Sequence, residues 1–462
     1  MFRDFKNRSK EDASNVLPLK TVEPAHPAAD HRIKIDRALQ DHLELKSRMH
    51  EALLDRLNLS MIDKVEQAEL RRQIAALVSQ MLEAENTPIR SDAFQELVDE
   101  LIDEVLGLGP LEPLLADPTV NDILVNSHKQ VYVERHGVLE ATGVRFRNER
   151  HLLRIIDRIV SRVGRRIDES QPWVDARLED GSRVNAIIRP CSVDGPALSI
   201  RKFARNPFTL ESLVDQGTMT AKAAVLLEAL VSARMNVLIS GGTGSGKTTL
   251  LNAMSSKIDG RERIVTIEDA AELQMQQEHV VRLETRPANI EGSGAISQRD
   301  LVRNALRMRP DRIIVGEVRG PECFDMLQAM NTGHDGSMTT VHANTARDAL
   351  GRLEQMVTMM GSDLPARTIR SQIAAGIHIV VQLSRLSDGK RRIMSISEIT
   401  GMEGDVVTMQ DIMVFRRTGR SETGEILGQN HVTGIRPRCA GHLSSAGVDL
   451  PPDIFQRDEV LA

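Results

Sequence analysis

Gly241-Gly242-Thr243-Gly244-Ser245-Gly246-Lys247-Thr248 follows the apolar run Val237 to Ser240 and leads into a helical run, Thr248 to Met254. The stretch satisfies G-x-x-x-x-G-K-[ST], and a strand before it with a helix after it is the setting that pattern requires. Glycines let the backbone wrap closely, so that its N–H groups and the helix N-terminus face phosphate oxygens. Lys247 then reaches the β- and γ-phosphates, and Thr248 offers its hydroxyl to Mg²⁺. This is a phosphate-binding loop.

Outward from the loop, helix and strand alternate. Val225 to Ala233 reads as a helix before it. Arg263 to Ile267 and Val280 to Leu283 read as strands after it, Asp300 to Met308 as a helix and Ile313 to Val315 as a strand. From Pro207 to about residue 400 this alternation predicts an α/β domain, a mostly parallel sheet with helices on both faces. Beyond about residue 415 the chain is rich in glycine and polar residues, and its structure signals are weak.

Upstream the texture differs. Residues 107–206 carry short apolar runs punctuated by turns: Leu124 to Asn126 and Val131 to Val133 as strands around a His136-Gly137 turn, then a helical run from His151 to Val163. Arg183 to Ile188 and Ala197 to Phe203 read as strands, which together predict an α+β domain. Residues 145–205 hold 14 Lys plus Arg against 8 acidic residues. A solvated helix face and phosphate contact by a subset both fit that surplus, and spacing does not choose. Residues 31–106 carry three amphipathic helical patterns, the third opening at Ser91, and predict a small helical bundle. Residues 1–30 read as a polar, disordered arm. The expected division is therefore 1–30, 31–106, 107–206 and 207–462.

Composition narrows the class. Aromatic residues are 2% of the 462, too few for the stacking platforms of single-strand nucleic-acid channels. A formal net charge of −6 gives no global attraction to nucleic acid. Cys191, Cys323 and Cys439 are too few and too scattered for a disulfide framework, and no apolar run is long enough to span a bilayer. A cytoplasmic protein is expected.

Three later segments bear on what happens to a bound nucleotide. Ile264 to Ile267 ends in Glu268-Asp269, two carboxylates at the strand end where open α/β sheets seat their ligands. Arg312 to Gly316 is a second such strand ending in Glu317, placed to orient or activate a water. Gly333-His334-Asp335-Gly336-Ser337 leads to Met338-Thr339-Thr340-Val341-His342. Two histidines eight apart do not match helical zinc spacing. A nucleotide-state sensor and a structural role for His342 fit equally well.

With Gly107-Leu108-Gly109-Pro110-Leu111-Glu112-Pro113-Leu114-Leu115, Asp117-Pro118-Thr119-Val120-Asn121-Asp122-Ile123, Arg307 to Arg312 and Gly316-Glu317-Val318-Arg319-Gly320, the chain resembles a known family. It is similar to the secretion ATPases of the type II/type IV pilus superfamily, most closely the CpaF-type (Tad/Flp pilus, CpaF/TadA) assembly ATPases. The resemblance runs from about Leu108 to Phe415. It implies a RecA-like P-loop domain, with Gly241 to Thr248 and the adjoining Thr249 as the Walker A cradle for ATP. It makes Glu268-Asp269 the aspartate box, close to Mg²⁺ with Thr248, and Glu317 the catalytic glutamate of Walker B. It matches His342 to the second histidine of a histidine box, and Arg183 and Arg201 to basic residues that approach the phosphates. Gly316 stands where many P-loop enzymes carry an Asp, as is usual in this family, and the four-cysteine zinc module of type II members is lacking.

The resemblance further implies a homohexamer on the cytoplasmic face of the inner membrane, acting on membrane platform proteins of a pilus or secretion machine, with no nucleic acid as partner. One rival is a ring-shaped nucleic-acid translocase, which shares the P-loop sheet. Others are a small-molecule kinase, which usually opens with its phosphate loop rather than after about 240 residues, and a scaffold that binds ATP without hydrolysing it, against which Glu317 speaks.

Overall fold

A computed structural model describes residues 45–46, 48–50, 52–53, 67–135, 137–203, 208–288, 293–361 and 364–456. The arm expected at 1–30, most of the first expected helix and His136 of the expected turn lie outside the described residues. The chain divides into two compact units, 1–112 and 113–462.

In the first unit, α1 (Gln67–Ala84) and α2 (Ser91–Leu106) carry apolar residues at helical spacing. Leu70, Ile74, Val78 and Met81 of α1 pack with Leu97, Val98 and Leu101 of α2, and with the buried helical residues Met49 and Leu53. Lys46 is nearly buried and is compensated by two carboxylates, Glu100 and Glu104, each at 3.1 Å.

Among its described residues the second unit holds two sheets. Its first has the order β3-β2-β1-β6-β5-β4 and is antiparallel throughout. The strands are β1 (Val120–Ser127), β2 (Gln130–Arg135), β3 (Val138–Ala141), β4 (Trp173–Arg177), β5 (Arg183–Ile187) and β6 (Ala197–Arg201). Helix α3 (Glu149–Arg162) buries Leu152, Ile155, Ile156, Ile159 and Val160, one stripe at i, i+3, i+4, i+7 and i+8. Asn148 caps it by accepting from the His151 N–H. Trp173, the chain's single tryptophan, lies on the edge strand β4 and is 53% exposed.

The second sheet has nine strands. Helix α4 (Ala221–Ser232) precedes β7 (Val237–Gly241), and α5 (Lys247–Ser255), β8 (Ile264–Glu268), β9 (Val280–Glu284), α6 (Gln298–Ala305), β10 (Arg312–Val318), α7 (Glu322–Asn331) and β11 (Met338–Val341) follow. After α8 (Ala346–Thr358) and α9 (Ala366–Gly376) come β12 (Ile379–Arg385), β13 (Arg391–Glu403), β14 (Val406–Arg420), β15 (Ile426–Val432) and α10 (Cys439–Ser445). The order is β15-β14-β13-β12-β7-β11-β10-β8-β9. The six strands from β12 to β9 run parallel, and β13, β14 and β15 extend the sheet antiparallel. This is the expected α/β sheet, mostly parallel.

Successive residues of its strands enter opposite cores, as the two-residue strand period requires. Val237, Ile239, Ile264 and Ile314 face one side with Leu226, Leu230, Leu250 and Met254 of α4 and α5. Leu238, Val265, Ile313 and Val315 face the other with residues of α6, α7, α8 and α9. The weak signals beyond residue 415 conceal the remainder of β14, then β15 and α10, whose Phe415, Ile426, Val432, Cys439 and Leu443 are all buried. Apolar residues there are widely spaced because the other face of this hairpin meets solvent. The stretch after Ser337 likewise enters a strand, β11, buried along its length.

Candidate active site

The phosphate loop leaves the carboxyl end of β7, the middle strand of the nine-stranded sheet, flanked in parallel by β12 and β11. Gly244 at φ +68° and Gly246 at φ +93° adopt the left-handed backbone that only glycine takes without strain. The loop closes on itself through Ser245, whose N–H and Oγ both donate to the Gly242 carbonyl, at 3.3 and 2.8 Å. A side chain at Gly241 would stand 2.8 Å from the Leu383 carbonyl on β12. Helix α5 begins just after Gly246, which offers no side-chain cap, so the N–H groups of its first turn, which includes Lys247, Thr248 and Thr249, are left for a ligand.

Lys247 Nζ donates to the carbonyls of Gly241 and Gly242, at 3.0 and 3.2 Å. Burial lowers its pKa from the ordinary lysine value; the Glu317 charge opposes that shift and the Arg319 charge adds to it.

The carboxylates stand at the ends of β8 and β10, which are parallel neighbours with Ile267 opposite Val315. Glu268 is almost wholly buried. Its Oε1 accepts from the N–H groups of Glu272 and Leu273, at 2.8 and 2.9 Å, while Oε2 is buried with no hydrogen-bond partner. Burial pushes its carboxyl up to about 7, against the pull of those two N–H groups and of Arg282. A buried oxygen without a partner is costly. An acceptor left over in this way fits a cation or a water carried by one, so the residues suit Mg²⁺ beside the phosphates. Among the described residues no group of three or more His, Cys, Asp or Glu side chains can hold a metal alone. A cation here would depend on phosphate oxygens and water as well, which is the habit of Mg²⁺.

Glu317 is half-buried on β10. Arg319, two residues on, donates to Glu317 Oε2 from Nε at 3.1 Å and from Nη2 at 2.6 Å, and reaches Asp269 Oδ2 from Nη1 at 3.4 Å. The strand period puts residues i and i+2 on one face, so this neighbour was discoverable from Glu317 itself. The Thr340 hydroxyl donates to the Gly316 carbonyl at 2.7 Å, joining β11 to β10 beside Glu317.

Of the arginines expected here, Arg183 crosses from the first sheet to the loop after β8. It donates to the Ala270 carbonyl at 2.7 Å and pairs with Glu272 at 3.0 Å. Arg201 is its register partner on β6, yet it turns to Asp122 of its own sheet, at 3.1 Å. His342 is exposed just past β11, whose Val341 lies opposite Ser240 of β7. Two basic residues escaped the sequence reading. Arg391 Nε donates to the Gly244 carbonyl at 3.0 Å, and Arg385, also beside Gly244, donates to the Gly137 carbonyl in the β2–β3 turn. An Asp388-Gly389 turn between two apolar runs was the available hairpin signal.

The family model for type II/IV secretion system proteins matches residues 104–434. The chain belongs to that family. Within the type II/IV secretion system family it is 41% identical over 309 residues to a putative conjugal transfer protein of Mycobacterium tuberculosis, covering 66% of this chain and 87% of that one. It is 31% identical over 331 residues to the type IV secretion system protein VirB11 of Bartonella quintana, covering 63% and 91%. Among solved structures, the VirB11 ATPase from the Brucella suis type IV secretion system matches with 29% identity and a TM-score of 0.34, over 63% of this chain and 95% of that one. The stretch from Gly241 to Thr248 makes this family member a P-loop protein. No helix among its described residues is long and apolar enough to cross a membrane.

Proposed function

We propose that the protein hydrolyses MgATP as a hexameric motor and that the turnover powers Tad/Flp-type pilus assembly or protein secretion through an inner-membrane platform. The observation that carries the reading is the meeting of three strand ends: the loop after β7, Glu268 after β8 and Glu317 on β10. A glycine-lined cradle for phosphates beside two differently held carboxylates suits phosphoryl transfer to water.

In this reading Gly241 to Thr249 bind the β- and γ-phosphates, with Lys247 exchanging its loop carbonyls for phosphate oxygens. Glu317 orients the attacking water and takes its proton. Thr248, Glu268 and Asp269 are the residues that would hold the metal. The ion, when bound, would supply positive charge that offsets the phosphate charge. Arg183 and Arg201 approach the phosphates from the first sheet when the two sheets draw together, and His342 senses the nucleotide state from the end of β11. The Tad/Flp assignment is supported by the run of motifs from Gly107 to Gly320, and the membrane partner and inner-membrane location follow from the same resemblance.

The test is phosphate release from MgATP across a range of protein concentrations, with and without DNA. Specific activity that climbs with concentration and ignores DNA supports a ring-forming secretion motor. Activity flat with concentration and stimulated by DNA supports the nucleic-acid translocase instead.

A further inference from the structure

We infer that Arg319 is a positioning residue for hydrolysis: it holds the Glu317 carboxylate by one oxygen so that the other faces the attacking water. The inference rests on the reading of Glu317 given above.

Both short bonds of the guanidinium land on Glu317 Oε2, and Oε1 lies outside the fork. A carboxylate held this way cannot spin about its last bond, and a general base must meet its water within hydrogen-bond reach and at a fixed angle. The third nitrogen, Nη1, leans on Asp269 Oδ2 at 3.4 Å, so the plane of the guanidinium is fixed at two points, one on β10 and one just past the end of its neighbour β8. Arginine's rigid fork can do this and lysine's single ammonium cannot.

The backbone beneath Arg319 is anchored as well. Glu322, nearly buried in the first turn of α7, accepts from the N–H groups of Arg319 and Gly320 through one oxygen, at 2.6 and 2.7 Å. Position is thus relayed from α7 to the Arg319 backbone, then to its guanidinium and to Glu317.

The Arg319 side chain is 62% exposed, and an exposed ion pair adds little to stability. A purely structural role therefore has almost nothing to contribute here, which makes the two roles separable.

The experiment compares Arg319→Ala, Arg319→Lys, Glu317→Gln and the double variant Arg319→Ala/Glu317→Gln in full-length protein, by steady-state and single-turnover hydrolysis of MgATP. Expected for Arg319→Ala is a fall in kcat of about 10- to 100-fold with KM within about twofold. Its melting temperature moves by no more than about 3 °C. Arg319→Lys recovers part of the kcat, and the double variant is no slower than Glu317→Gln. The inference is overturned if Glu317→Gln stops turnover while Arg319→Ala does not slow it. It is equally overturned if Arg319→Ala raises KM at unchanged kcat, or if the two losses multiply in the double variant. Turnover undiminished in Glu317→Gln removes the reading of Glu317 itself, a separate failure recognisable before any Arg319 variant is assayed.

Discussion

Gly316 and Glu268 face each other across the seam between β10 and β8, so closely that a Cβ on Gly316 would stand 2.9 Å from Glu268 Cγ. Glycine at 316 is therefore a spatial requirement of the buried carboxylate beside it. Gly316→Ala must displace Glu268 or spread the two strands. The expected result is MgATP binding close to wild type and kcat reduced about 10- to 100-fold, measured by titration calorimetry and phosphate release. Wild-type turnover in this variant would separate Glu268 from the chemistry.

The raised pKa of Glu268 has a consequence for stability. Its folded value, about 7, lies above the ordinary 4.5, so between those pH values the folded chain holds the proton more tightly than the unfolded chain. What this group contributes is complete below pH 4.5 and is lost as pH rises to about 7. The loss amounts to up to about 3 kcal/mol. Chemical denaturation of wild type and Glu268→Gln across pH 5 to 8 should give a difference that grows with pH in favour of the variant. A constant difference would mean that the carboxyl ionises as it does in water.

Lys247 and Glu317 should separate binding from turnover. Lys247→Ala removes the ammonium now held by the Gly241 and Gly242 carbonyls, and ATP binding should become undetectable by calorimetry. Glu317→Gln keeps the shape and loses the base, so binding persists and hydrolysis falls by about 10²- to 10⁴-fold. Near-wild-type hydrolysis in both variants would remove the proposed mechanism.

Arg201 and Arg183 are register partners with different attachments. Arg201 is held by Asp122 of its own sheet and in the proposed mechanism meets the phosphates only as the sheets draw together, so Arg201→Ala should slow hydrolysis more than it weakens nucleotide binding. Arg183→Ala also severs the link to Ala270 and Glu272 and should lower kcat further. Turnover untouched by Arg201→Ala would take that residue out of the phosphate site.

The sequence made legible the parts built from local pattern. The loop from Gly241 to Thr248 is readable because its glycines and its flanking strand and helix are contiguous. β8 and β10 are readable because runs such as Ile264-Val265-Thr266-Ile267 end abruptly in acid. β11 was obscure because it carries Thr339 and Thr340 into the core, where the Thr340 hydroxyl is satisfied by a carbonyl of another strand. The β14–β15 hairpin hid behind glycine. At Gly428 a Cβ would collide with the Phe415 ring and lie 2.8 Å from the Arg416 carbonyl, so the residue that reads as a break is the one that permits the pairing. Arg391 lies 147 residues from Gly244, and no local pattern reports a contact that distant.

The lone indole, at Trp173 on the exposed edge of β4, makes the protein its own optical probe. At the other end of the same strand Arg177 pairs with Glu284 of β9, at 2.9 Å, so β4 is seated against the nucleotide-bearing sheet. Excited on the long-wavelength side of the Tyr132 absorption, ultraviolet emission from this chain comes from that one indole. A wavelength shift on mixing with nucleotide is therefore assignable to that edge without any dye, and stopped-flow traces from the untagged protein would time its movement against phosphate release.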